Sequence, residues 1–405
     1  MYANRSAPWF HERHVPSASH HSLQLAEMSR EADMSANIRD TYAVFPKWSQ
    51  PFWTLFTGKP AVDEQALFVP SCWTYLSVSM AIFLGGIAGS FILLINAGAP
   101  LWLLPCTVGL TLYGSRLLIL TIAHQCAHLR FCRDKRLNRI VHDVLSIINC
   151  TQDYEAYRYD HFQVHHSLKT FATLQDPVMI FIRQLGFTEV LSKSTLWRQL
   201  VLLSISPAFH GRYLFNRWRA NLTCKRLSRR ILAIAWWSAI IAIFVRYPDL
   251  RRPIAVAYLL PVFLLYNISA FLELICEHVW MRPLNAVSPR QRTGELIWGR
   301  FCGEAVPSGQ GAWMWLRWTA RMLFYHLPCR MFVLTGDAPQ HDFHHVAPNN
   351  PNWTVSAYER RDVIASGQME DREVWGLFAA IDIVFSNIAT AREHSAHLDY
   401  LEVEA

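Results

Sequence analysis

Charged side chains are scarce in this sequence: they make up 17% of its 405 residues, and none occurs between Glu64 and Arg116. Soluble globular domains carry about 25% charged residues, so the composition excludes an ordinary soluble enzyme. More polar segments flank the uncharged stretch, which excludes a chain embedded entirely in lipid. We therefore expect a membrane anchor joined to a substantial soluble portion.

Several familiar signatures are also missing. The nine cysteines include no CxxC pair, which favours reduced thiols facing a cytosol over a disulfide framework. No apolar run follows a basic start early enough to form a signal peptide. Basic stripes interleaved with aromatic residues are lacking too, so we expect no nucleic-acid partner. The sequence has neither the HExxH motif of zinc proteases nor the repeated Glu-xx-His signature of soluble di-iron bundles.

The uncharged stretch is long enough for two membrane-spanning helices of about 20 residues each. Residues 96–100, Asn-Ala-Gly-Ala-Pro, supply turn chemistry between them. We therefore predict helices at 72–95 and 101–123 within a first transmembrane hairpin at 67–123. The second helix contains Arg116, whose long side chain we expect to extend toward the near membrane interface.

A second apolar pair lies in the second half of the chain. Ile231–Val245 and Pro253–Cys276, separated by a short charged connection, predict a second hairpin at 230–276. The expected fold class is thus an all-α integral membrane protein, with about four transmembrane helices in two hairpins and a cytosolic helical cap. The segments outside the hairpins are a polar N-terminal tail with an interfacial aromatic stretch (1–66), the first part of the cap (124–229) and its second part (277–405).

The topology of the hairpins brings the two parts of the cap together. With both termini cytosolic, each hairpin crosses the membrane out and back, so 124–229 and 277–405 share the cytosolic side. The excess of Lys and Arg in 124–229 agrees with the positive-inside bias, although three arginines in the connection at 246–252 run against it. We expect disorder rather than metal binding for four histidines of the polar tail, His11, His14, His20 and His21.

Histidine is concentrated in three clusters, each next to an apolar segment. The clusters are HxxxH at His124 and His128, HxxxHH at His161, His165 and His166, and HxxHH at His341, His344 and His345. A single histidine on a helix carries little information. Eight of them in three tight clusters are hard to explain without a metal.

The spacing within each cluster predicts where the rings point. On a helix, residues i and i+4 lie one above the other, so His124 and His128 suit one metal. His161 and His165 have the same spacing. His166 lies about 140° from His161 on an ideal helix, so we expect it to face a different metal or to lie where the helix is distorted. Eight imidazoles exceed what one tetrahedral zinc can use, which favours two ions, but imidazole does not select among zinc, copper, iron and nickel.

These three boxes, with two pairs of membrane helices around the middle one, resemble the membrane fatty acid desaturase superfamily, which also includes related hydroxylases. The resemblance covers about residues 115–355. It is strengthened by flanking residues, namely Tyr157-Arg158, Asp176-Pro177, Gly336 and Asp337. The resemblance implies a non-haem di-iron centre that is held almost entirely by histidines and uses O2 and two electrons to attack an unactivated C–H bond.

The resemblance also implicates residues outside the boxes. Acyl-CoA desaturases of known structure carry a further metal-binding histidine past the last span, with an asparagine four residues before it. His278 matches that histidine, whereas Leu274 stands at the asparagine's position. Glu273 and Glu277 are the nearby polar groups, and each is a candidate direct ligand or hydrogen-bonded partner of a ligand. Asp160, Asp337 and Asp342 are candidates for orienting ligand histidines through the second ring nitrogen, and an equal alternative is that they are surface carboxylates.

We therefore predict a membrane enzyme that uses two iron ions and O2 to introduce a double bond into a fatty-acyl or lipid-like chain. Hydroxylation of a lipid or alkyl chain by the same centre is the alternative. A histidine-rich metal transporter is disfavoured, because it would need ligands near the bilayer midplane and the span interiors lack them. The sequence has no HPGG haem-binding segment, four-cysteine iron–sulfur pattern or GxGxxG motif, so we expect a separate electron donor such as a ferredoxin or cytochrome b5.

Overall fold

The computed structural model describes residues 38–282 and 288–403, and within those ranges the side chains up to residue 391. The expectations for the polar tail before residue 38, including its four histidines, lie outside the described residues. Helices form nearly all of the regular structure. Two three-residue strands, β1 (Gly299–Phe301) and β2 (Glu373–Trp375), pair in parallel.

Four helices are long and apolar enough to cross a membrane, and we number them spans 1 to 4 in chain order. They are Cys72–Ile95, Leu101–Ala127, Leu227–Arg246 and Pro248–Cys276. The four predicted spans are thereby confirmed. Spans 3 and 4 begin before the apolar runs that predicted them, because charged side chains and proline are tolerated in the first turn of a helix that starts at a membrane surface.

The remaining helices build the cap. Those of eight or more residues are Gln50–Thr57, Lys135–Ile148, Pro177–Gln184, Lys193–Ile205, Pro207–Leu222, Pro289–Leu296, Ala312–Arg321, Ser356–Ala365 and Leu377–Val403. Shorter helical segments are Arg39–Val44, Lys47–Ser49, Tyr154–Arg158, Tyr159–His165, Met322–His326, Cys329–Val333, Ala338–Gln340, His341–Val346 and Trp353–Val355. The second and third histidine boxes lie on these short segments, between longer helices that fix them in place.

Local sequence explains the limits of span 1. Its start is capped by Ser71, whose hydroxyl accepts a hydrogen bond from the Thr74 amide at 3.0 Å. Its end is followed by the predicted turn, in which Gly98 has φ +84°, a conformation that glycine adopts without steric penalty. The chain then returns as span 2.

Spans 1 and 2 approach each other closely at two glycines. A Cβ added at Gly86 would lie 2.4 Å from the backbone nitrogen of Thr111, and one at Gly114 would lie 2.5 Å from that of Phe83. Small residues at a helix crossing let two backbones in a membrane meet without side chains between them. This contact positions span 2, whose C-terminal end carries the first histidine box.

Replacing Gly86 with valine should force spans 1 and 2 apart and destabilise the protein by about 1–3 kcal/mol, because the obstructing atom belongs to the backbone. Gly85 is a matched control on the same span, since an added Cβ there meets nothing within 4 Å among the described residues. Thermal unfolding of the full-length protein in detergent should show a lower midpoint for Gly86→Val than for Gly85→Val. Equal midpoints would contradict the close helix crossing.

The C-terminal helix, Leu377–Val403, holds the end of span 4 against the cap. Its Phe385 stacks on Phe187 with ring centres 5.6 Å apart, and Phe187 lies 6.0 Å from Phe271 of span 4. All three rings are fully buried. Burying one such side chain contributes roughly 1.5–3 kcal/mol. The cluster therefore anchors the segment that continues from span 4 into the metal-binding region.

Arg116 does not extend to the membrane interface, so that expectation is wrong. Its side chain is 2% exposed, and its Nη2 donates to the carbonyl oxygen of Val333 at 3.3 Å. The guanidinium lies 5.1 Å from the centre of the Tyr266 ring. Extension toward an interface applies to lipid-facing side chains. Here protein surrounds the arginine, because Cys329–Val333 packs against span 2.

Candidate metal centre

The histidine boxes converge from three distant parts of the chain. Their ring nitrogens form two compact groups, and within each group the atoms able to bind a metal lie within 4.8 Å of one another. The first group, which we call site A, consists of His124, His128, His161, His166 and His344. The second group, site B, consists of His165, His278, His341 and His345. The two sites are adjacent, since the ring centres of His166 and His345 are 4.1 Å apart.

The first box lies at the end of span 2. Leu117–Ala123 is wound as a π-helix, and α-helical winding resumes at His124. The His128 amide donates to the His124 carbonyl oxygen at 3.2 Å, so the two rings lie on one face, as i, i+4 spacing predicts. Both rings contribute to site A.

The second box is wound as a π-helix over Tyr159–His165, which changes the partners of its histidines. The His166 amide donates to the His161 carbonyl oxygen at 2.9 Å, an i→i+5 hydrogen bond that brings these two rings to one face. His161 and His166 therefore contribute to site A, whereas His165 contributes to site B. The pairing of His161 with His165 that α-helical spacing predicts is wrong. The distorted helix considered for His166 is what the structure shows.

One helical turn of the third box, His341–Val346, serves both sites. His341 and His345 belong to site B, and their Nε2 atoms are 3.1 Å apart. His344 points instead to site A, where its Nε2 lies 2.9 Å from that of His128. Adjacent histidines thus diverge between two sites here, as they do in the second box.

His278 joins the centre from outside the boxes. It follows the end of span 4 and is fully buried, and its Nε2 lies 3.1 Å from that of His165. The resemblance placed a further histidine here, and the structure brings this residue into site B. Leu274, at the position of the expected asparagine, contributes an apolar side chain to the neighbouring cavity.

The Asp176 carboxylate orients a ring of the centre through the ring nitrogen that faces away from the sites. Asp176 is fully buried, and its Oδ2 lies 3.0 Å from Nδ1 of His165. The backbone amides of Ala172 and Val178 donate to the same carboxylate and hold it in place. With Nδ1 engaged in this way, Nε2 of His165 faces site B. In the sequence Asp176 was noticed only through the family resemblance, because no local pattern reveals a contact with a histidine eleven residues earlier.

Asp160 and Asp342 do not take the orienting role expected of them. Asp160 accepts a hydrogen bond from Gln152 at 2.7 Å, and Asp342 pairs with Arg360 at 2.8 Å. In the described part of the chain, neither carboxylate makes a hydrogen bond to a ring of either site. Each lies next to a box histidine in sequence but on another side of its helix, so the ring and the carboxylate point apart.

Gly336 and Asp337 fasten the third box to span 2. A Cβ added at Gly336 would lie 2.0 Å from the hydroxyl oxygen of Thr121, and φ at this residue is +62°, so the close approach requires glycine. The Asp337 carboxylate accepts hydrogen bonds from the Thr121 hydroxyl at 3.0 Å and from the Gln125 side chain at 2.9 Å. Asp337 therefore positions the whole box, and the expectation that it orients a ring is wrong.

Glu273 and Glu277 have different surroundings, although both are buried. Glu273 pairs with Arg300 of β1 at 3.1 Å, so its charge is already compensated. Glu277 places Oε1 3.0 Å from Nε2 of His341, and its Oε2 is buried without a hydrogen-bond partner among the described residues. A buried carboxylate oxygen left unpartnered is costly unless a cation takes it. Arg300 was missed in the sequence because a three-residue strand has no recognisable pattern.

Burial keeps most of the imidazoles neutral. It lowers the pKa of the rings outside the spans well below the ordinary histidine value, and nearby positive charges contribute in the same direction. These rings are His128, His161, His166, His278, His341, His344 and His345. For His165, burial lowers the pKa, but the Asp176 hydrogen bond and the Glu277 charge outweigh burial and raise it. The neutral imidazole is the form that binds a metal ion.

The residues present fit two metal ions. Five imidazoles surround site A and four surround site B, and the unpartnered carboxylate oxygen of Glu277 lies beside site B. Next to the sites is a cavity of about 430 Å³, whose wall includes His124, His161 and His341. Apolar side chains of spans 2 and 4, such as Ile119, also line the cavity. An elongated molecule in this cavity would lie against histidines of both sites.

Four spans with a double imidazole site at their ends define an integral membrane protein with a metal-binding centre. Comparison with known families narrows the class: the family described as fatty acid desaturase matches residues 102–364. The chain therefore belongs to the fatty acid desaturase family, whose members are oxidoreductases. A search of curated proteins found no significant match.

Replacing Asp176 with asparagine should weaken metal binding by about 10–100-fold, because the amide cannot hold the His165 ring with the charge of a carboxylate. Asp160→Asn is the matched control, since Asp160 bonds to Gln152 rather than to a histidine. Competition of the full-length protein with a chelator of known affinity measures the effect. Similar affinities for the two variants would argue against the orienting role of Asp176.

Proposed function

We propose that the protein is an O2-dependent, non-haem di-iron desaturase that introduces a double bond into a fatty-acyl or lipid-like chain. The observation that carries the proposal is the convergence of two imidazole groups at the ends of membrane spans, in a chain of the fatty acid desaturase family. Site A would hold one iron and site B the other. When bound, iron supplies the O2 chemistry that removes hydrogen from an unactivated C–H bond.

The protein's own side chains prepare the site for this chemistry. Asp176 keeps a proton on Nδ1 of His165, so that Nε2 is the nitrogen free to bind. Glu277 would serve as a direct ligand at site B, because its Oε2 faces no other described partner. The Tyr157 ring stacks on His161, with centres 5.3 Å apart, and restrains the orientation of that imidazole. Apolar side chains such as Ile119 and Leu274 line the cavity in which the reacting carbon would lie.

Hydroxylation by the same centre is the second candidate. Leu274 stands where the related acyl-CoA desaturases have an asparagine, so the surroundings of site B differ from those of the known desaturases. A metal transporter is disfavoured, because the imidazole groups lie at the ends of the spans rather than along their middle. The product of the reaction separates the two enzymatic candidates.

We propose further that the cap and both termini face the cytosol. The segment 124–229 between spans 2 and 3 is rich in Lys and Arg, which favours the cytosolic side. A separate ferredoxin or cytochrome b5 would then deliver electrons to the cap. This arrangement places the electron donor and the metal sites on one side of the membrane.

Purified full-length protein loaded with iron should bind about two irons per chain. His344→Ala removes a donor of site A and His341→Ala one of site B, so each variant should lose about one iron. His210→Ala, outside both groups, should leave the iron content unchanged. Elemental analysis with Mössbauer spectroscopy measures the iron bound per chain in each variant. Zinc that persists as the sole metal after iron loading would contradict the proposal.

Glu277→Gln tests, in the same assay, whether Glu277 binds the metal at site B directly. Loss of iron comparable to that of His341→Ala is expected, because a neutral amide is a weaker ligand than a carboxylate. Full iron retention with slower turnover would show instead that Glu277 acts through His341.

Expression in a host of known lipid profile should produce a new alkene, identified by mass spectrometry of extracted lipids. His344→Ala, expressed at the same level in the membrane, should not form it. An alcohol in place of the alkene would favour the hydroxylase. Absence of any O2-dependent product with a supplied electron donor would reject both enzymatic candidates.

A further inference from the structure

The cavity beside the histidines contains a buried positive charge at Arg116. This side chain is 2% exposed and lines the same cavity as His124 and His341. Its only hydrogen bond to the described residues runs from Nη2 to the Val333 carbonyl oxygen, at 3.3 Å. Its Nε is buried without a partner among the described residues. The guanidinium therefore retains N–H donors that the described residues do not use.

The other buried arginines of the described chain have their charge or their donors satisfied. Four pair with carboxylates: Arg39 with Glu64, Arg229 with Asp143, Arg300 with Glu273 and Arg360 with Asp342. Arg217 has no such carboxylate but donates to four oxygens, those of Asn149, Cys150, Val262 and Asn267. Arg116 differs from these five arginines because, among the described residues, it has neither a carboxylate partner nor several oxygens to which it donates.

Within the described residues, no carboxylate on the cavity wall forms an ion pair with Arg116, although Glu277 interacts with its charge at longer range. The carboxylates on this wall are Asp160, Glu273, Glu277 and Asp337. Asp160 accepts a hydrogen bond from Gln152, and Glu273 pairs with Arg300. Asp337 accepts hydrogen bonds from Thr121 and Gln125, and Glu277 lies at site B. The Tyr266 ring, 5.1 Å from the Arg116 guanidinium, offsets only part of the cost of burying this charge, and an anion in the cavity would relieve the rest.

We propose that Arg116 binds the carboxylate of the substrate inside the cavity, so that the enzyme acts on a free long-chain fatty acid. The inference rests on the proposed function and names its substrate class. A guanidinium offers paired N–H groups that match the two oxygens of a carboxylate. A coenzyme A thioester or a headgroup-linked acyl chain offers the arginine only a neutral carbonyl oxygen at that position, which a guanidinium binds more weakly than it binds a carboxylate.

Arg116 also sets the distance between the carboxylate and the reacting carbon. It precedes His124 by eight residues on span 2, a separation of about 12 Å in an α-helix and a shorter one here, because Leu117–Ala123 is wound as a π-helix. A fatty acid held at Arg116 would therefore present a carbon in the middle of its chain to the metal sites.

Binding of hexadecanoate, 1-hexadecanol and hexadecanoyl-CoA to the full-length protein in detergent tests the proposal without any turnover. Isothermal titration should show hexadecanoate binding about 10–100-fold more tightly than the alcohol, as expected for a hydrogen-bonded charge. Arg116→Gln should abolish this preference, and Arg116→Lys should retain part of it. Arg133→Gln, at an exposed arginine of the cap, should leave it unchanged.

Equal binding of hexadecanoate and 1-hexadecanol by the unaltered protein would overturn the proposal, whether or not the variants fold. Tighter binding of hexadecanoyl-CoA than of hexadecanoate, unaffected by Arg116→Gln, would overturn it too and identify a thioester substrate. Carboxylate preference that depends on Arg116 supports the inference even in a preparation without O2-dependent activity. Activity without that preference leaves the proposed enzyme class standing and rejects only the role of Arg116.

Discussion

The whole centre depends on holding many imidazoles close together in their neutral form, at the point where two membrane hairpins meet the cap. Charged rings packed within 4.8 Å of one another would repel, and burial removes that charge by lowering their pKa values. The ring nitrogens of each group face one another, so their lone pairs point to a common position that a metal ion can take. The close packing and burial that disfavour protonation of the rings therefore favour the binding of a metal ion by their neutral form.

Distorted helices supply the required ring directions. An α-helix would bring His161 and His165 to one face, but the π-helical winding of this box pairs His161 with His166 and leaves His165 for the other site. Such winding is less favourable than α-helix and occurs mostly at functional sites. Here the surrounding contacts maintain it, among them the fixed position of Asp176 behind the His165 ring.

Buried charge is distributed unevenly around the cavity. Two buried carboxylates near the sites have arginine partners: the Glu273–Arg300 pair joins span 4 to β1, and the Asp342–Arg360 pair joins the third box to the helix Ser356–Ala365. Such pairs offset their desolvation only when both partners are present. Arg116, inside span 2, has no such partner in the described chain. The paired charges support the fold, whereas Arg116 is the charge that we propose binds the substrate carboxylate.

Sequence patterns alone were sufficient for the helical membrane class, the four spans and the histidines of the three boxes, because hydropathy and residue spacing are local properties. His278 was identified by resemblance to a family. Local pattern could not reveal that His165 and His166 face different sites, that Asp176 rather than Asp160 supports a ring, or that Arg116 is enclosed by protein. Each of these depends on how a helix is wound and on residues that are distant in the chain but adjacent in the folded protein, so only the tertiary structure decided them.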